Sequence, residues 1–302
     1  MHKKTIIITS HAKLRIEKGY LLIEQEEIQK FTLNDITTIL VETTQCSVTS
    51  SLLLRLLQED ISIFFCNEKH QPALSVLPIV KNSHKSGILQ EQIHFPKRAT
   101  KRIWQKIIKQ KIANQMEVLK KVGASKTLIQ EMNKLRGSTE EGDITHCEAH
   151  AARIYFGHLF PKDEKRHDET PINSALNYGY AIVRGKISQV LILHGLEASL
   201  GVWHNNIRNA FNLSDDLIEV FRPMIDFLVF SNVWESEDLG KEDKIKLLSI
   251  LQAPCMLNGA KTRVVTAIDE LVISYLRCLR KKSAAHLKLP TMEGAYEFTH
   301  ST

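Results

Sequence analysis

The feature that most constrains the fold is a change of hydrophobic periodicity about eighty residues into the chain. Before that point, short runs rich in β-branched residues are separated by polar turns, which is typical of β-strands. Strands are predicted at residues 5–9, 13–16, 20–24, 28–32, 36–41, 61–66 and 73–78. The leucine spacing of residues 50–58 predicts one helix among them. This part of the chain is therefore predicted to be a small β-rich domain closed by one helix.

After a polar linker predicted at residues 78–86, the pattern is almost wholly helical from Ile88 onward. Helices are predicted at residues 97–122, 148–159, 172–196, 217–230 and 262–281. One face of the first is apolar and carries Trp104, Ile108, Ile112 and Met116. A charged loop is expected at residues 161–170, and the chain after Ser283 is expected to fray. The fold class predicted is α+β, with a β-rich domain over residues 1–82 and a larger all-α domain over residues 83–302.

The chain's 302 residues and 43% hydrophobic content suffice for domains with real cores. The formal net charge of +6 is modest, so its distribution is more informative than its size. Residues 97–136 carry twelve Lys or Arg against Glu117 and Glu131, a local net charge of +10. A concentration of positive charge is the footprint expected for contact with phosphates. The alternative interpretation is a solvated helix face.

The five cysteines show no CxxC spacing and are odd in number, which favours reduced thiols in an intracellular protein. The apolar run at the N-terminus is too short for a signal peptide. No window approaches the roughly 18 to 20 apolar residues of a membrane span. We therefore expect a soluble, cytoplasmic protein with no membrane partner.

Glu148 is the first candidate ligand, because it lies between His146 and His150. The two histidines share a helix face at i and i+4, whereas Glu148 points about 200° away from both at roughly 100° per residue. One helix cannot present all three to a single ion. The histidines are therefore interpreted as surface or packing residues.

The same segment matches only the first half of a zinc-deaminase signature. His146-Cys147-Glu148 matches the H-x-E element of that signature, which also requires P-C-x-x-C. The chain has Pro254-Cys255 but no second cysteine at the required spacing. A zinc site would lack a ligand, so this interpretation is rejected.

His204 follows a glycine-bearing turn at the end of an apolar helix and is followed by polar residues. A structural histidine is the alternative interpretation. Asp216 and Glu219, at i and i+3, can share one face of a helix that Ser214 could cap. Acids in a first helical turn also suit the helix dipole.

Pro223 makes the dipole explanation incomplete, because a proline cannot donate a hydrogen bond to the carbonyl four residues earlier. The helix is therefore predicted to bend or open beside Glu219, with Arg222 as a fixed positive charge near the same turn. Carboxylates plus one imidazole suit Mg²⁺ or Mn²⁺. Such an ion can polarise a phosphoryl oxygen and activate an attacking hydroxyl. The residues thus favour a metal-dependent phosphodiesterase or transesterase.

At these residues the sequence resembles the CRISPR-associated integrase family, the endonucleases of spacer acquisition. The similarity extends over nearly the whole chain and is strongest at residues 173–181, 195–204 and 216–223, which are NSALNYGYA, GLEASLGVWH and DLIEVFRP. Trp104, residues 111–115 and residues 148–156 also resemble the family. Its length and N-terminal part are similar to the type II version.

The resemblance implies that Glu148, His204 and Glu219 are catalytic residues that bind Mg²⁺ or Mn²⁺. It implies that Asp216 is a fourth ligand or a neighbour of the ligands, and that Asn173 is a polar residue near the metal. The implied activity is insertion of short foreign DNA fragments into a CRISPR repeat array by 3′-hydroxyl attack on a phosphodiester, for antiviral defence.

The implied partners are double-stranded DNA, as incoming fragment and repeat array, and a second copy of the chain. A heterohexamer with a small ferredoxin-like CRISPR-associated subunit is also implied. Residues 1–82 would dimerise and contact DNA, with Tyr20 as a stacking residue, and residues 83–302 would be catalytic. The alternatives are a catalytically silent DNA-binding scaffold and a general structure-specific DNA nuclease.

Overall fold

A computed structural model of the chain describes residues 4–59, 61–68, 72–76, 84–160, 168 and 170–294. Its contacts divide the chain into two compact units, Met1–Lys81 and Asn82–Thr302. The first is built mainly of strands and the second mainly of helices, so the α+β fold class predicted from the sequence is confirmed.

The N-terminal unit contains two four-stranded sheets and one helix among its described residues. The elements are β1 (Lys4–Ile8), β2 (Ala12–Glu17), β3 (Tyr20–Glu24), β4 (Ile28–Thr32), β5 (Ile36–Val41), β6 (Cys46–Val48), α1 (Ser50–Gln58), β7 (Ser62–Cys66) and β8 (Pro72–Ser75). One sheet has the order β1-β5-β7-β8 and the other β4-β3-β2-β6. Strand β6 is too short to be predicted from the sequence, because three residues show no alternation.

Both sheets and α1 bury their apolar side chains in one core. Leu14 and Leu21 from one sheet, Ile39 from the other, and Leu52 and Leu56 from α1 belong to the same buried cluster. The leucine spacing that predicts α1 is therefore its core-facing stripe.

The C-terminal unit contains nine helices among its described residues. They are α2 (Lys85–Ile93), α3 (Lys97–Lys121), α4 (Lys126–Ser138), α5 (Cys147–Leu159), α6 (Pro171–Leu193), α7 (Asn212–Leu217), α8 (Arg222–Phe230), α9 (Lys241–Leu248) and α10 (Val264–Lys281). Fourteen of the 23 residues of α6 are buried, which makes it the central helix of the unit. Helix α3 packs against α4, α5 and α8. The apolar face predicted for α3 is confirmed, since all four of its residues are at most 7% exposed.

Three boundaries differ from the sequence prediction. The domain predicted as all-α contains a hairpin of β9 (Pro254–Leu257) and β10 (Ala260–Arg263), so residues 262–263 are strand rather than helix. Sequence periodicity misses the hairpin because its strands have only four residues each. The linker predicted at 78–86 lies largely outside the described residues, and its last two residues already belong to α2. The loop predicted at 161–170 lies outside them except for Asp168 and Thr170.

The prediction that the chain frays after Ser283 is wrong as far as Gly294. Ala284, Leu287 and Met292 are at most 8% exposed. Thr291 pairs with Met256 of β9 through two backbone hydrogen bonds of 2.9 Å. Sequence periodicity misses this segment because a single 3-10 turn at Ala284–His286 is followed by chain without a regular repeat, held by separate contacts.

Within the residues that the structure describes, we find no helix with the length and apolarity needed to cross a membrane.

Candidate active site

The site begins with a lysine that contacts two carboxylates. Lys111, in the middle of α3, is only 6% exposed. Its ammonium donates to Oε1 of Glu148 and lies 2.5 Å from Oε2 of Glu219. Burial by itself would lower the pKa of Lys111, but the negative charges of Glu219 and Glu148 outweigh it and raise that pKa. Glu148 and Glu219, 71 positions apart in the sequence, are thus brought together through one cation.

Glu148 lies in the first turn of α5, which begins after an irregular loop. His146 precedes the helix in the left-handed conformation, with φ of 52°. The carboxylate of Asp143 accepts hydrogen bonds from the backbone N–H groups of Cys147 and Glu148, at 2.9 and 3.0 Å. Because these N–H groups have no partner within the helix, Asp143 fixes the turn that carries Glu148.

Glu219 lies where the helical path changes. Residues 217–230, predicted as one helix, form the end of α7, a 3-10 turn at Ile218–Val220, and α8. The predicted opening beside Glu219 is confirmed, and Pro223 stands in the first turn of α8, where a proline is tolerated.

The expected capping role of Ser214 is wrong. The residue lies inside α7, and its hydroxyl is 2.8 Å from that of Ser188 on α6. Ser214 therefore joins two packed helices and does not begin one.

Arg222 is the second cation on Glu219. Its Nε donates to Glu219 Oε1 at 2.9 Å, and its guanidinium lies 4.5 Å from the centre of the Tyr180 ring. Burial would raise the pKa of Glu219, but Lys111 and then Arg222 outweigh it and lower that pKa. Glu219 is therefore held ionised although its side chain is only 9% exposed. The fixed charge predicted for Arg222 is confirmed by this contact.

His204 is held by Asp216. Its Nδ1 lies 2.7 Å from Asp216 Oδ1. The same carboxylate accepts the backbone N–H groups of Val202, Trp203 and His204, the latter two at 2.8 and 3.2 Å. The hydrogen bond from His204 to Asp216 raises the pKa of the imidazole against the opposing effect of burial. Asp216, fully buried, thus fixes both the backbone and the ring of His204.

Gly201 makes this arrangement possible. A Cβ at position 201 would lie 2.2 Å from the carbonyl oxygen of His204 and 2.8 Å from Asp216 Oδ2. Both distances are shorter than any van der Waals contact, and the nearer atom belongs to the backbone. No larger residue fits while the His204 carbonyl and the Asp216 carboxylate keep their places.

Trp104 contacts the ring of His204, and Trp203 stacks on Trp104. The Trp104 ring meets the imidazole edge-on, with centroids 5.8 Å apart, and stacks on Trp203 at 5.6 Å. Trp203 is 44% exposed, and a Cβ at position 142 would lie 3.3 Å from its ring, at a residue whose φ of 82° already favours glycine. The buried face predicted for α3 therefore also supports a residue of the site.

The three residues predicted as ligands are not assembled into a ligand set. Across the described residues, no group of three or more His, Cys, Asp or Glu lies close enough to hold a metal ion. Glu148 and Glu219 share Lys111, and His204 and Glu219 affect each other's pKa.

The donor chemistry nevertheless fits a hard divalent cation. Oε2 of Glu219 is buried and, among the described residues, accepts no hydrogen bond. Its contact with the Lys111 ammonium, at 2.5 Å, is an ion pair. A buried carboxylate oxygen without a hydrogen-bond donor can still accept a metal bond.

Other residues singled out from the sequence have ordinary surroundings. His146 and His150 are exposed and line a shallow depression of about 490 Å³ with Thr145, Ala149 and Arg153. Cys255 is fully buried in β9, where burial raises the pKa of its thiol to about 12.

Asn173 and Tyr20 keep their predicted elements. The side chain of Asn173, 3% exposed in the first turn of α6, donates to the Asp168 carbonyl at 3.0 Å. Tyr20 begins β3, is 37% exposed, and carries Lys30 over its ring at 3.8 Å.

Sequence reasoning misses Lys111, Asp143 and Asn114. Lys111 is three residues after Ile108 and seven after Trp104, so it lies on the apolar face of α3. A lysine on such a face indicates a buried charge with partners, and this signal is present in the sequence. Asn114 donates to the carbonyls of Val220 and Pro290, at 2.8 and 3.2 Å, which only the folded chain brings together.

The fold and the site together define a two-domain α+β protein whose helical domain carries a carboxylate and imidazole site. The family model described as CRISPR associated protein Cas1 matches residues 5–267. The chain belongs to this family, as the resemblance implied.

A curated relative agrees with this assignment, and two solved structures share the fold. The CRISPR-associated endonuclease Cas1 of Neisseria meningitidis serogroup C (strain 8013) is 31% identical over 302 residues, covering 98% of this chain and 99% of that protein. A solved casposase bound to an integration product has the same fold, with a TM-score of 0.74 and 18% identity over 93% of this chain and 91% of that one. A Cas6-RT-Cas1–Cas2 complex matches with a TM-score of 0.69 and 15% identity, covering 95% of this chain and 36% of that chain.

Proposed function

We propose that this chain is a metal-dependent DNA integrase and endonuclease that inserts short foreign DNA fragments into a CRISPR repeat array, as part of antiviral defence. The observation that carries the proposal is the contact of Glu148 and Glu219 with one buried ammonium, in a domain that also holds an exposed, oriented His204. Membership of a family whose relatives are named endonucleases supports the same class of reaction.

Glu148, His204 and Glu219 would hold Mg²⁺ or Mn²⁺. Such an ion supplies a Lewis acid for the phosphoryl oxygen and lowers the pKa of the attacking hydroxyl. Asp216 keeps the ring of His204 oriented through Nδ1, which leaves Nε2 as the donor atom. Arg222 keeps Glu219 ionised and therefore able to act as a ligand.

The reaction exchanges one phosphodiester for another. The 3′-hydroxyl oxygen of the incoming fragment forms a bond to the repeat-end phosphorus, and the bond to the leaving 3′-oxygen breaks. The attacking hydroxyl gives up its proton and the leaving oxygen takes one, so the number of phosphodiester bonds is unchanged. Positioning of the two DNA ends is therefore the main task of the protein.

Exposed basic residues on α3 and α4 would bind the DNA backbone. Of the twelve Lys and Arg in residues 97–136, the exposed ones are Lys97, Arg98, Lys101, Arg102, Lys120, Lys121, Lys126, Lys134 and Arg136. Contacts of this kind position the protein on a duplex without reading its sequence. Lys111 does not belong to this surface, because it is buried at the site.

The assembly implied by the family completes the proposal. Two copies of the chain form a homodimer, and two homodimers bind a small ferredoxin-like subunit pair. Residues 1–82 serve dimerisation and DNA contact, with Tyr20 as a stacking residue, and residues 83–302 carry the chemistry. The Cas6-RT-Cas1–Cas2 complex with a similar fold contains a second subunit, Cas2, beside its Cas1 part, which supports a partner of this kind. The type II subtype stays a prediction.

The test is strand transfer of a labelled duplex into a supercoiled plasmid that carries the repeat, with the partner subunit and Mn²⁺. Glu148→Ala, His204→Ala and Glu219→Ala should each lower the rate at least about a hundredfold, because each removes a ligand. His158→Ala and Glu131→Ala, exposed residues on α5 and α4, are matched controls that should keep full activity. Normal strand transfer by any of the three ligand variants would overturn the site.

The same assay separates the alternative functions. A DNA-binding scaffold would bind duplex equally with and without Mn²⁺ and would neither cut nor join it. A general structure-specific nuclease would cut arbitrary branched DNA without joining ends.

A further inference from the structure

Lys111 lies at the centre of the site but has no place in the proposed ligand set. A charged side chain this deeply buried is stable only when it is paired, because desolvation of an unpaired ammonium is costly. Its partners are the two carboxylates proposed as ligands. Lys111 can therefore stay buried only while Glu148 and Glu219 remain beside it.

The charges of the four central side chains cancel. Glu148 and Glu219 supply two negative charges, and Lys111 and Arg222 supply two positive charges. Arg222 contacts Glu219 through Oε1, whereas Lys111 contacts its other oxygen, Oε2. Lys111 is thus the cation that connects both carboxylates.

We infer that Lys111 is an internal counter-cation that competes with a divalent ion for Glu148 and Glu219 and so sets the metal affinity of the free protein. This rests on the proposed function, since the same carboxylates are the proposed ligands. An oxygen paired with an ammonium must give up that contact to bind a metal, and an ammonium that stays nearby repels the arriving ion. The site therefore binds metal more weakly than its donors alone would allow.

The experiment is a titration of the full chain with Mn²⁺ in the absence of DNA. Electron paramagnetic resonance measures the concentration of free Mn²⁺ at each step. Lys111→Met keeps an unbranched side chain, one atom shorter, and removes its charge, so it should tighten Mn²⁺ binding at least about tenfold. Lys111→Arg keeps the charge and should stay within about threefold of the parent. Lys106→Met, on the same helix, removes a lysine that donates to the Ala284 carbonyl and should leave Mn²⁺ affinity unchanged.

Glu148→Gln and Glu219→Gln separate this inference from the function that it rests on. If neither variant weakens Mn²⁺ binding, the proposed ligands themselves are wrong. If both weaken it but Lys111→Met binds Mn²⁺ no more tightly than the parent, only the role of Lys111 is overturned.

A second measurement covers the case in which Lys111→Met does not fold without metal, since two buried carboxylates would then face each other. The variant is refolded with and without Mn²⁺ and followed by circular dichroism. Recovery of a cooperative melting transition in Mn²⁺ alone supports the inference, because the ion then replaces the ammonium. Failure to refold under both conditions overturns it.

Discussion

Asp226 shows, at the scale of single residues, how strongly burial changes an acid in the helical domain. It is 1% exposed on α8 and accepts a hydrogen bond from the hydroxyl of Tyr180. Burial raises its pKa from 3.8 to about 6, although Tyr180 and the positive charge of Arg222 act in the opposite direction. Its ionisation therefore costs stability at neutral pH.

Asp226→Asn should flatten the pH dependence of folding between about pH 4 and pH 6. The folded state holds the proton of Asp226 more tightly than the unfolded state, so its contribution is complete below pH 3.8 and is lost as pH rises through 6. The loss is at most about 3 kcal/mol. Urea unfolding at several pH values measures it, and the exposed Asp238→Asn is the control. Parallel curves for Asp226→Asn and the parent would contradict this account.

Single residues also show how much of the site can be predicted from the sequence. Carboxylates and an imidazole stand out because their chemistry suits a metal, and Glu148, His204 and Glu219 are visible for that reason. Lys111 is overlooked when the basic residues of α3 are only counted, because the count does not say which face each one occupies, although the spacing places Lys111 on the apolar face. Asp143 escapes notice because its capping role depends on a loop conformation with φ of 48°, which no pattern encodes.

At the scale of elements, proline and glycine mark where helices open and where they approach each other. Pro223 correctly predicts the interruption beside Glu219. Gly179 on α6 allows close packing of α8, since a Cβ there would lie 2.6 Å from Cγ2 of Ile225. Gly179 is visible in the sequence, but its contact is not, because Ile225 lies 46 residues away.

Gly179→Ala should destabilise the domain by about 1 to 2 kcal/mol, because overpacking outweighs the gain in helix propensity. Ile225→Leu removes the branch that the new Cβ would meet. The double variant should therefore lose less stability than the two single changes added together. Chemical denaturation of all four proteins gives this coupling.

Gly157→Ala on α5 is the matched control, because nothing lies within 4 Å of the added atom. It should be neutral or stabilise by up to about 1 kcal/mol. If Gly179→Ala behaved in the same way, close packing of α6 and α8 would not depend on the glycine.

At the scale of the whole molecule, periodicity predicts the change from strands to helices and most elements, but not the segments that hold them together. The chain at 284–294 has no repeat, which is why the sequence pattern predicts fraying there. Its position depends on single contacts, such as Lys106 to the Ala284 carbonyl and Met292 N–H to Asn114 Oδ1. Contacts between residues 178 positions apart leave no local sequence pattern from which they could be predicted.

A chain that stops after Ser283 should lose about 3 to 6 kcal/mol of stability, because burial of Leu287 and of Met292 contributes roughly 1.5 to 3 kcal/mol each. Asn114 would also lose its hydrogen bond to the Pro290 carbonyl. The same side chain donates to the carbonyl of Val220, the residue next to Glu219. Thermal melting of this variant, compared with one that stops after Gly294 and keeps every described contact, measures the loss. Equal melting temperatures would show that the segment is dispensable.

The close approach at Gly201 has a consequence for natural variation. The space that a side chain would need there is filled by the carboxylate of Asp216 and the carbonyl of His204. Loss of the acid at position 216 would therefore not free position 201, because the nearer obstacle, at 2.2 Å, is a backbone carbonyl that no substitution removes. The glycine is expected to persist in every lineage that keeps this turn, whatever residue stands fifteen positions later in the chain.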